Sequence, residues 1–495
     1  MKKVIIVGAG IAGLTAGVYA AQSGFEVTIY EQHTIPGGAS TSWRRKGYLF
    51  EGGMHWLTGS SPSTSLHELW REIGALNDKV SIYNRDPFFT YEDKGKTVCL
   101  YRDIEKLRNH LLEISPEDEK EINSLCKDLK KFTKIQAPVM DIKGVKVKHK
   151  HKMPLGDLLG MLPALPRMSF YTNQSAEEYA ARYQSPILRE FFISLIGPGY
   201  NASGMVFTIA TLVSGDGGYP EGGSLGMAKR IADYVIALGG RIDYGKSVSK
   251  VEVQNGAACG VIIDGKLIPS DAVIVAQDTM VAIDQLFDPP IKDEWAMTMR
   301  KTTVPMNNTF LCLGVEADLA DLPESVTFQL EKPIYCGDIA TSVIGLNNYA
   351  GYRGYAPEGC TAVTTICPGD NYDFWKKCKE NGTYETEKEK LALAYIEAIS
   401  KKYPKIAGKV AVWDVATPLT YERYLRSYKG SWMTGTGKGK KMTTYPSQPE
   451  GIQKVYLASH RLMPPGGLPG AAMMGRQAVQ YLCKDTDTVF QGKLK

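Results

Sequence analysis

Six residues near the start of the chain, Gly8-Ala9-Gly10-Ile11-Ala12-Gly13, constrain its fold more than any other feature. They come directly after a short β-branched run, Val4 to Val7, that reads as a buried parallel strand. They open a helical segment from Leu14 to Ser23 that Gly24 ends. A second strand, Glu26 to Tyr30, finishes at Glu31. This order is a βαβ unit built to hold a dinucleotide. Gly8 permits the tight turn, Gly10 lets the backbone approach a pyrophosphate, and Gly13 lets the helix pack on the strand. The helix N-terminus, with unpaired N–H groups and a positive dipole end, faces the phosphates. Glu31 stands where a carboxylate accepts hydrogen bonds from the ribose hydroxyls of an adenosine. An acid there favours an unphosphorylated ribose, so FAD or NAD over NADP.

The chain has 495 residues, more than one hydrophobic core serves, so two or three domains are expected. With 43% hydrophobic and 22% charged residues it is not a disordered chain. A formal charge of +5 is too mild to point to nucleic acid. The 9 cysteines have no zinc or redox spacing and read as reduced thiols of an intracellular protein. Residues 1–30 lack the pattern of a secretory signal, and no run approaches the length of a bilayer span, so a cytoplasmic location is expected. No Ser/His/Asp-type spacing, metal-ligand cluster or internal repeat is visible. No second Gly-x-Gly-x-x-Gly unit offers a seat for a bound nicotinamide, so electrons reach or leave the protein by transient docking or on a carrier.

The segment after the second strand selects between the two nucleotides. Pro36-Gly37-Gly38-Ala39-Ser40-Thr41-Ser42 resembles the second phosphate-contacting motif of the two-dinucleotide-binding-domain flavoproteins, Arg-x-Gly-Gly-Arg-x-x-Ser/Thr. Gly37, Gly38 and Ser42 match. Ile35 and Ala39 replace the two arginines, which leaves backbone N–H groups and hydroxyls such as that of Ser40 to contact the pyrophosphate. Gly47 to Gly59 resembles the strand and turn that pass near the flavin ring in the same proteins. The segment Val455 to Arg476, with its turn Pro464-Pro465-Gly466-Gly467-Leu468-Pro469-Gly470, is similar to the C-terminal signature of the carotenoid desaturases, carotenoid isomerases and retinol saturases. Tyr219 to Ala228 matches the Pro-x-Gly-Gly segment of that family, and Ser270 to Ala276 its return strand, with Gln277 in place of the usual Asn.

The resemblance implies FAD in an extended pose. The adenine lies near Glu31 and the backbone of Val251. The pyrophosphate lies at Gly10, Ala12 and Gly13. The isoalloxazine lies near Gly53, Met54 and His55 and near Gly467, Leu468 and Pro469. It also implies an α/β architecture: a Rossmann-like FAD-binding domain from residues 1–75, 211–290 and 426–495, and a discontinuous α+β substrate domain from residues 76–210 and 291–425.

The departures from the family are informative. Ser459-His460-Arg461 stands where the family has Gly-Ala-Gly. His460 and Arg461 either sit near the flavin or substrate, where a guanidinium favours an anion, or point away and cap strand ends. His55, Tyr200, His460 and the tyrosines around Tyr349 and Tyr352 are candidate proton donors, with histidine the better placed by its ordinary pKa. Lys143 to Leu165 combines five lysines with a short apolar stretch, which reads either as a peripheral membrane contact or as a solvated loop followed by a buried helix. Gly435 to Lys441 lacks the Gly-Lys-Ser/Thr of a P-loop and reads as a mobile basic loop. The function implied is that of an FAD-dependent oxidoreductase acting on carbon–carbon bonds of an apolar unsaturated lipid, such as a polyene, retinoid or polyunsaturated fatty acid, by saturation, desaturation or isomerisation. The alternatives are a flavin amine oxidase and a non-catalytic relative of the lipid-escort proteins.

Overall fold

The run Val4 to Val7 is buried along its length, as a central parallel strand must be. In the computed structural model, which describes residues 1–135, 138–149, 155–197, 199–435 and 443–492, Lys3–Val7 is the middle strand of a five-stranded sheet. The order across the sheet is Val455–Leu457, Ala272–Val275, Lys3–Val7, Glu26–Glu31 and Arg241–Tyr244, and every pairing is parallel. The helices Ile11–Gln22, Gly223–Ala237 and Gly467–Asp485 pack together beside it and bury Leu14, Val18, Ile231, Val235, Val479 and Leu482 in one core with Val4 and Ile6. A three-stranded antiparallel meander, Val248–Gln254, Ala257–Ile263 and Lys266–Pro269, shares a second core with the other side, through Ile5, Val7, Val273 and Val275. The two chain ends therefore meet in one sheet, as the paired glycine turns require.

A separate seven-stranded mixed sheet runs Val410–Ala416, Asn308–Val315, Thr361–Pro368, Ile339–Asn348, Ser325–Cys336, Phe89–Asp93 and Lys96–Leu100. Its one parallel pairing joins Ser325–Cys336 to Phe89–Asp93. Helices between Ile104 and Val213 gather around Leu125, Leu129, Phe132, Tyr179, Leu188 and Phe192 and close on the Phe89–Leu100 end of this sheet. The α-helix Glu119–Phe132 is preceded by a break in the form of a short 3-10 turn, Pro116–Asp118. The Asp118 carboxylate explains the break, because it turns back to accept from Ser115 Oγ and from the amides of Gln184 and Ser185.

Within the lysine-rich segment, residues 138–149 lie on the last helix of the dinucleotide-side sheet. Arg476 Nη2 reaches Asp141 at 2.6 Å, and Val147 bridges to Phe490. Lys143, Lys146 and Lys148 are exposed, as are Leu159, Leu162 and Leu165 beyond them. Residues 150–154 of this segment, and residues 436–442 of the expected basic loop, fall outside the described residues. Among the described residues no helix is long and apolar enough to cross a membrane.

Candidate active site

The glycine turns of both chain ends open onto one cavity of about 510 Å³, within the size range of small-molecule sites. Its middle is built by Gly8, Gly10, Ile11 and Ala12 on one side and Gly37, Gly38, Ala39 and Ser40 on the other. The two turns are tied together: the Gly37 amide donates to Ala9 O at 2.8 Å, and Gly10 pairs with Gly37. Gly10 sits at φ −69°, ψ 173°, a conformation open to any residue, and no protein atom lies closer than 3.9 Å to where its Cβ would stand. Nothing in the protein requires glycine there, and its bare backbone leaves room for a ligand in the cavity. Gly13 differs, because its Cβ would lie 1.9 Å from Gly8 O. It serves packing and does not line the cavity.

At one end the Glu31 carboxylate is fixed by the amides of Ala9 at 2.7 Å and His33 at 2.8 Å. Burial pushes its pKa up, and these two amides pull the other way. Lys246, whose amide donates to Glu31 O at 2.8 Å, lines the cavity with Ser247 and Val248. Val251, expected at the adenine, does not line the cavity. It lies farther along its strand, with its amide donating to Leu286 O at 2.7 Å and its side chain buried in the meander core. Val248 stands on the cavity wall instead.

The other end is formed by Gly52 to Trp56 and by Gly466 to Pro469, which bring the N-terminus of the helix Gly467–Asp485 to the wall. Glu51 organises the first of these turns. Its buried carboxylate accepts from the amides of Gly53 at 2.9 Å, Met54 at 3.1 Å and Ser224 at 3.0 Å, and from Tyr219 Oη at 2.5 Å. Ser224 Oγ adds a bond from Met54 N at 2.8 Å. Gly466, at φ +100°, seats His460: a Cβ there would meet the imidazole Nδ1 at 2.3 Å. The seven-stranded sheet contributes Asn308 and Phe310, two apart on one strand face, and Ile366, paired with Phe310. Tyr421, Trp432 and Met433 complete the wall. Sequence reasoning missed all six: a strand buried at every position hides the period-2 pattern of Asn308 and Phe310, and Ile366, Tyr421, Trp432 and Met433 carry no local motif.

Of the proposed proton donors, His55 and His460 line the cavity. Burial lowers the pKa of each to about 4, helped by Arg85 beside His55 and by Arg461 beside His460, so both are neutral imidazoles at neutral pH. That overturns the reason for favouring them as acids. Tyr200 does not line the cavity; it lies between the helices Pro186–Ile196 and Ala202–Val213. Arg461 is also not at the wall. Its buried guanidinium is consumed by Asp278 Oδ2 at 3.0 Å, Thr434 Oγ1 at 3.0 Å, Ser431 O at 3.0 Å and the carbonyl of Met433.

The depressed histidines predict a pH dependence. A histidine whose folded pKa lies below its unfolded value contributes stability above about pH 6.5 that is lost as pH falls towards 4. Urea titrations at pH 7, 5.5 and 4.5 should show the wild type losing more stability than the His55→Asn/His460→Asn double variant, by about 4 kcal/mol between pH 7 and 4.5. Equal losses would mean that neither imidazole is held neutral.

The cavity fits FAD by its donor set as well as its shape. Ser40 Oγ, Gln277 Nε2, Asn308 Oδ1 and Trp432 Nε1 belong to wall residues and are buried with no hydrogen-bond partner among the described residues. Buried polar groups are seldom left unpaired, and a polar ligand with both donors and acceptors in the cavity would pair these four. The sequence profile of the flavin containing amine oxidoreductases matches residues 11–483. The chain belongs to this family. Its cofactor is FAD, and the protein is an FAD-dependent oxidoreductase. The prolycopene isomerase of Daucus carota is 25% identical, over 97% of this chain and 80% of its own length. A lycopene-forming phytoene desaturase of Pseudescherichia vulneris is 20% identical over 98% of this chain and 100% of its own. Among solved structures, cyclohexylamine oxidase of Brevibacterium oxydans has the same fold, with a TM-score of 0.61, 13% identity, and coverage of 98% of this chain and 99% of that one.

Proposed function

We propose that this oxidoreductase acts on carbon–carbon bonds of an apolar unsaturated lipid, by isomerisation, saturation or desaturation. The observation that carries the reading is the chemistry of the wall opposite Glu31. It is built from Met54, Trp56, Phe310, Ile366, Trp432 and Leu468, with two neutral imidazoles. A hydrocarbon suits such a wall. The wall offers an ammonium no free carboxylate among the described residues: of the two acids that line the cavity, Glu31 lies at the other end and Asp278 is committed to Arg461. The names of the carotenoid isomerase and desaturase relatives support the same substrate class.

FAD, when bound, supplies the hydride acceptor and donor. The protein's part is alignment and exclusion of water. The Glu51 network holds Gly53 and Met54 at one wall, and Gly466 with His460 sets the other. Phe310 and Ile366 present an apolar floor from the second sheet. Neutral His55 and His460 offer N–H and lone-pair groups without placing a charge beside an alkene.

Anaerobic incubation of the oxidised and the dithionite-reduced protein with polyenes, unsaturated fatty acids and amines, with mass analysis of the products, tests the proposal. A lipid product changed by two hydrogens, or an isomer of unchanged mass, is expected. Ammonia release with no altered lipid would contradict it.

A further inference from the structure

A second cavity, of about 210 Å³, adjoins the first and shares His55, Trp56 and Ile366 with it. Its wall is mixed: Phe88, Phe89, Leu195, Val326 and Leu346 give an apolar part, and polar side chains share the rest. Arg85 is the one Lys, Arg, Asp or Glu among its lining residues. The guanidinium stacks 4.5 Å from the Phe88 ring centroid, and Nη2 donates to His55 O at 3.3 Å. Among the described residues Arg85 forms no ion pair.

The acids around it are committed elsewhere. Asp86 accepts from Arg102 N and pairs with Lys106. Asp216 accepts from the amides of Gly59 and Ser61 and from Ser60 Oγ. Glu324 accepts from Tyr352 Oη. Arg102, the neighbouring cation, fixes the Arg85 backbone by donating to Arg85 O at 2.9 Å, and spends its other nitrogens on the carbonyls of Asp216 and Gly217. The result is a half-buried, backbone-anchored guanidinium with free donors, beside the Phe88 ring and next to His55, a residue that both cavities share. A guanidinium in such a place matches a carboxylate by charge and by its two-pronged geometry.

We propose that this second cavity takes the head group of the substrate, with Arg85 binding the carboxylate of a long-chain unsaturated fatty acid whose chain runs past Trp56 and Ile366 into the FAD cavity. Ser194, Ser325, Thr327 and Asn347 line the same cavity and supply further polar groups for the carboxylate. The inference rests on the unsaturated-lipid reading above and narrows it to acids.

The test titrates the FAD-loaded protein with linoleate and with methyl linoleate, below micelle-forming concentrations, monitoring the visible flavin absorption. The wild type should bind the acid roughly tenfold to a hundredfold more tightly than the ester, the worth of a charge-assisted hydrogen bond. Arg85→Gln should abolish that preference while leaving ester affinity unchanged, and Arg85→Lys should keep part of it. Equal affinities in the wild type, or a preference that survives in Arg85→Gln, would overturn the assignment. A parallel incubation with a hydrocarbon polyene separates the two claims. Conversion of the polyene without preference for the acid removes the role of Arg85 alone. Binding and conversion of no lipid at all removes the lipid reading with it.

Discussion

Gly10→Val is expected to fold normally and to purify without FAD. The backbone at Gly10, φ −69° and ψ 173°, accepts an L side chain, and a Cβ there makes only ordinary contact, 3.9 Å from Gly38 Cα. The isopropyl group would then project into the middle of the cavity, between the helix N-terminus at Ile11 and the Gly37-Gly38 turn. That space takes the pyrophosphate, and filling it should weaken FAD by roughly a hundredfold or more. Gly13→Ala is the contrasting variant. Its Cβ would stand 1.9 Å from a backbone oxygen, so the first helix must shift from its sheet and the protein should lose stability. Circular dichroism and released-flavin assays on both variants distinguish them. A flavin-loaded Gly10→Val protein would contradict the placement of the pyrophosphate.

The second large effect is expected at Arg461. Arg461→Met removes one partner of a fully buried ion pair and leaves the Asp278 carboxylate without its cation. The loss of such a partner costs about 3–5 kcal/mol. Asp278 retains bonds from the amides of Met280 and Tyr428, which places the expected cost at the lower end. Arg461 also ties down Ser431, Met433 and Thr434, the segment that carries Trp432 and Met433 to the cavity wall. It is therefore a positioning residue. Denaturant titration should show the stability loss, while the flavin-loaded fraction keeps the wild-type visible spectrum. A spectral shift with full stability would instead put the guanidinium on the flavin.

The parts of this site legible in sequence are those whose constraint is local. The Gly8–Gly13 turn announces itself because turn, helix start and strand packing act within six residues, and the place of Glu31 is set by the fixed length of one helix and one strand. The Gly466–Pro469 turn is legible for the same reason. Val251 is misplaced by its sequence because a residue's position along a strand relative to a distant cavity depends on packing; the meander pushes it into the core and leaves Val248 at the wall. Arg461 looks available in sequence because its partners, Asp278 and Ser431, are remote along the chain. Asn308, Phe310 and Ile366 carry no local signature, and they reach the site only because the second sheet folds over it. The histidines are recognisable by type, but burial reverses the chemistry that their type suggests. Glu51 stands inside a segment that the sequence singles out, yet nothing local shows that one carboxylate gathers donors from Gly53, Met54, Tyr219 and Ser224.

The central claim is that both ends of the chain close around one FAD, with an apolar space beside it for the reactant. Its most direct test is to release and quantify the flavin of the purified wild-type protein, then to titrate the intact protein with an unsaturated lipid and monitor the visible bands. Close to one equivalent of FAD per chain, with bands that shift saturably with the lipid, is the expected result. A protein that stays colourless after incubation with FAD, or a flavin spectrum indifferent to every unsaturated lipid offered, would contradict it.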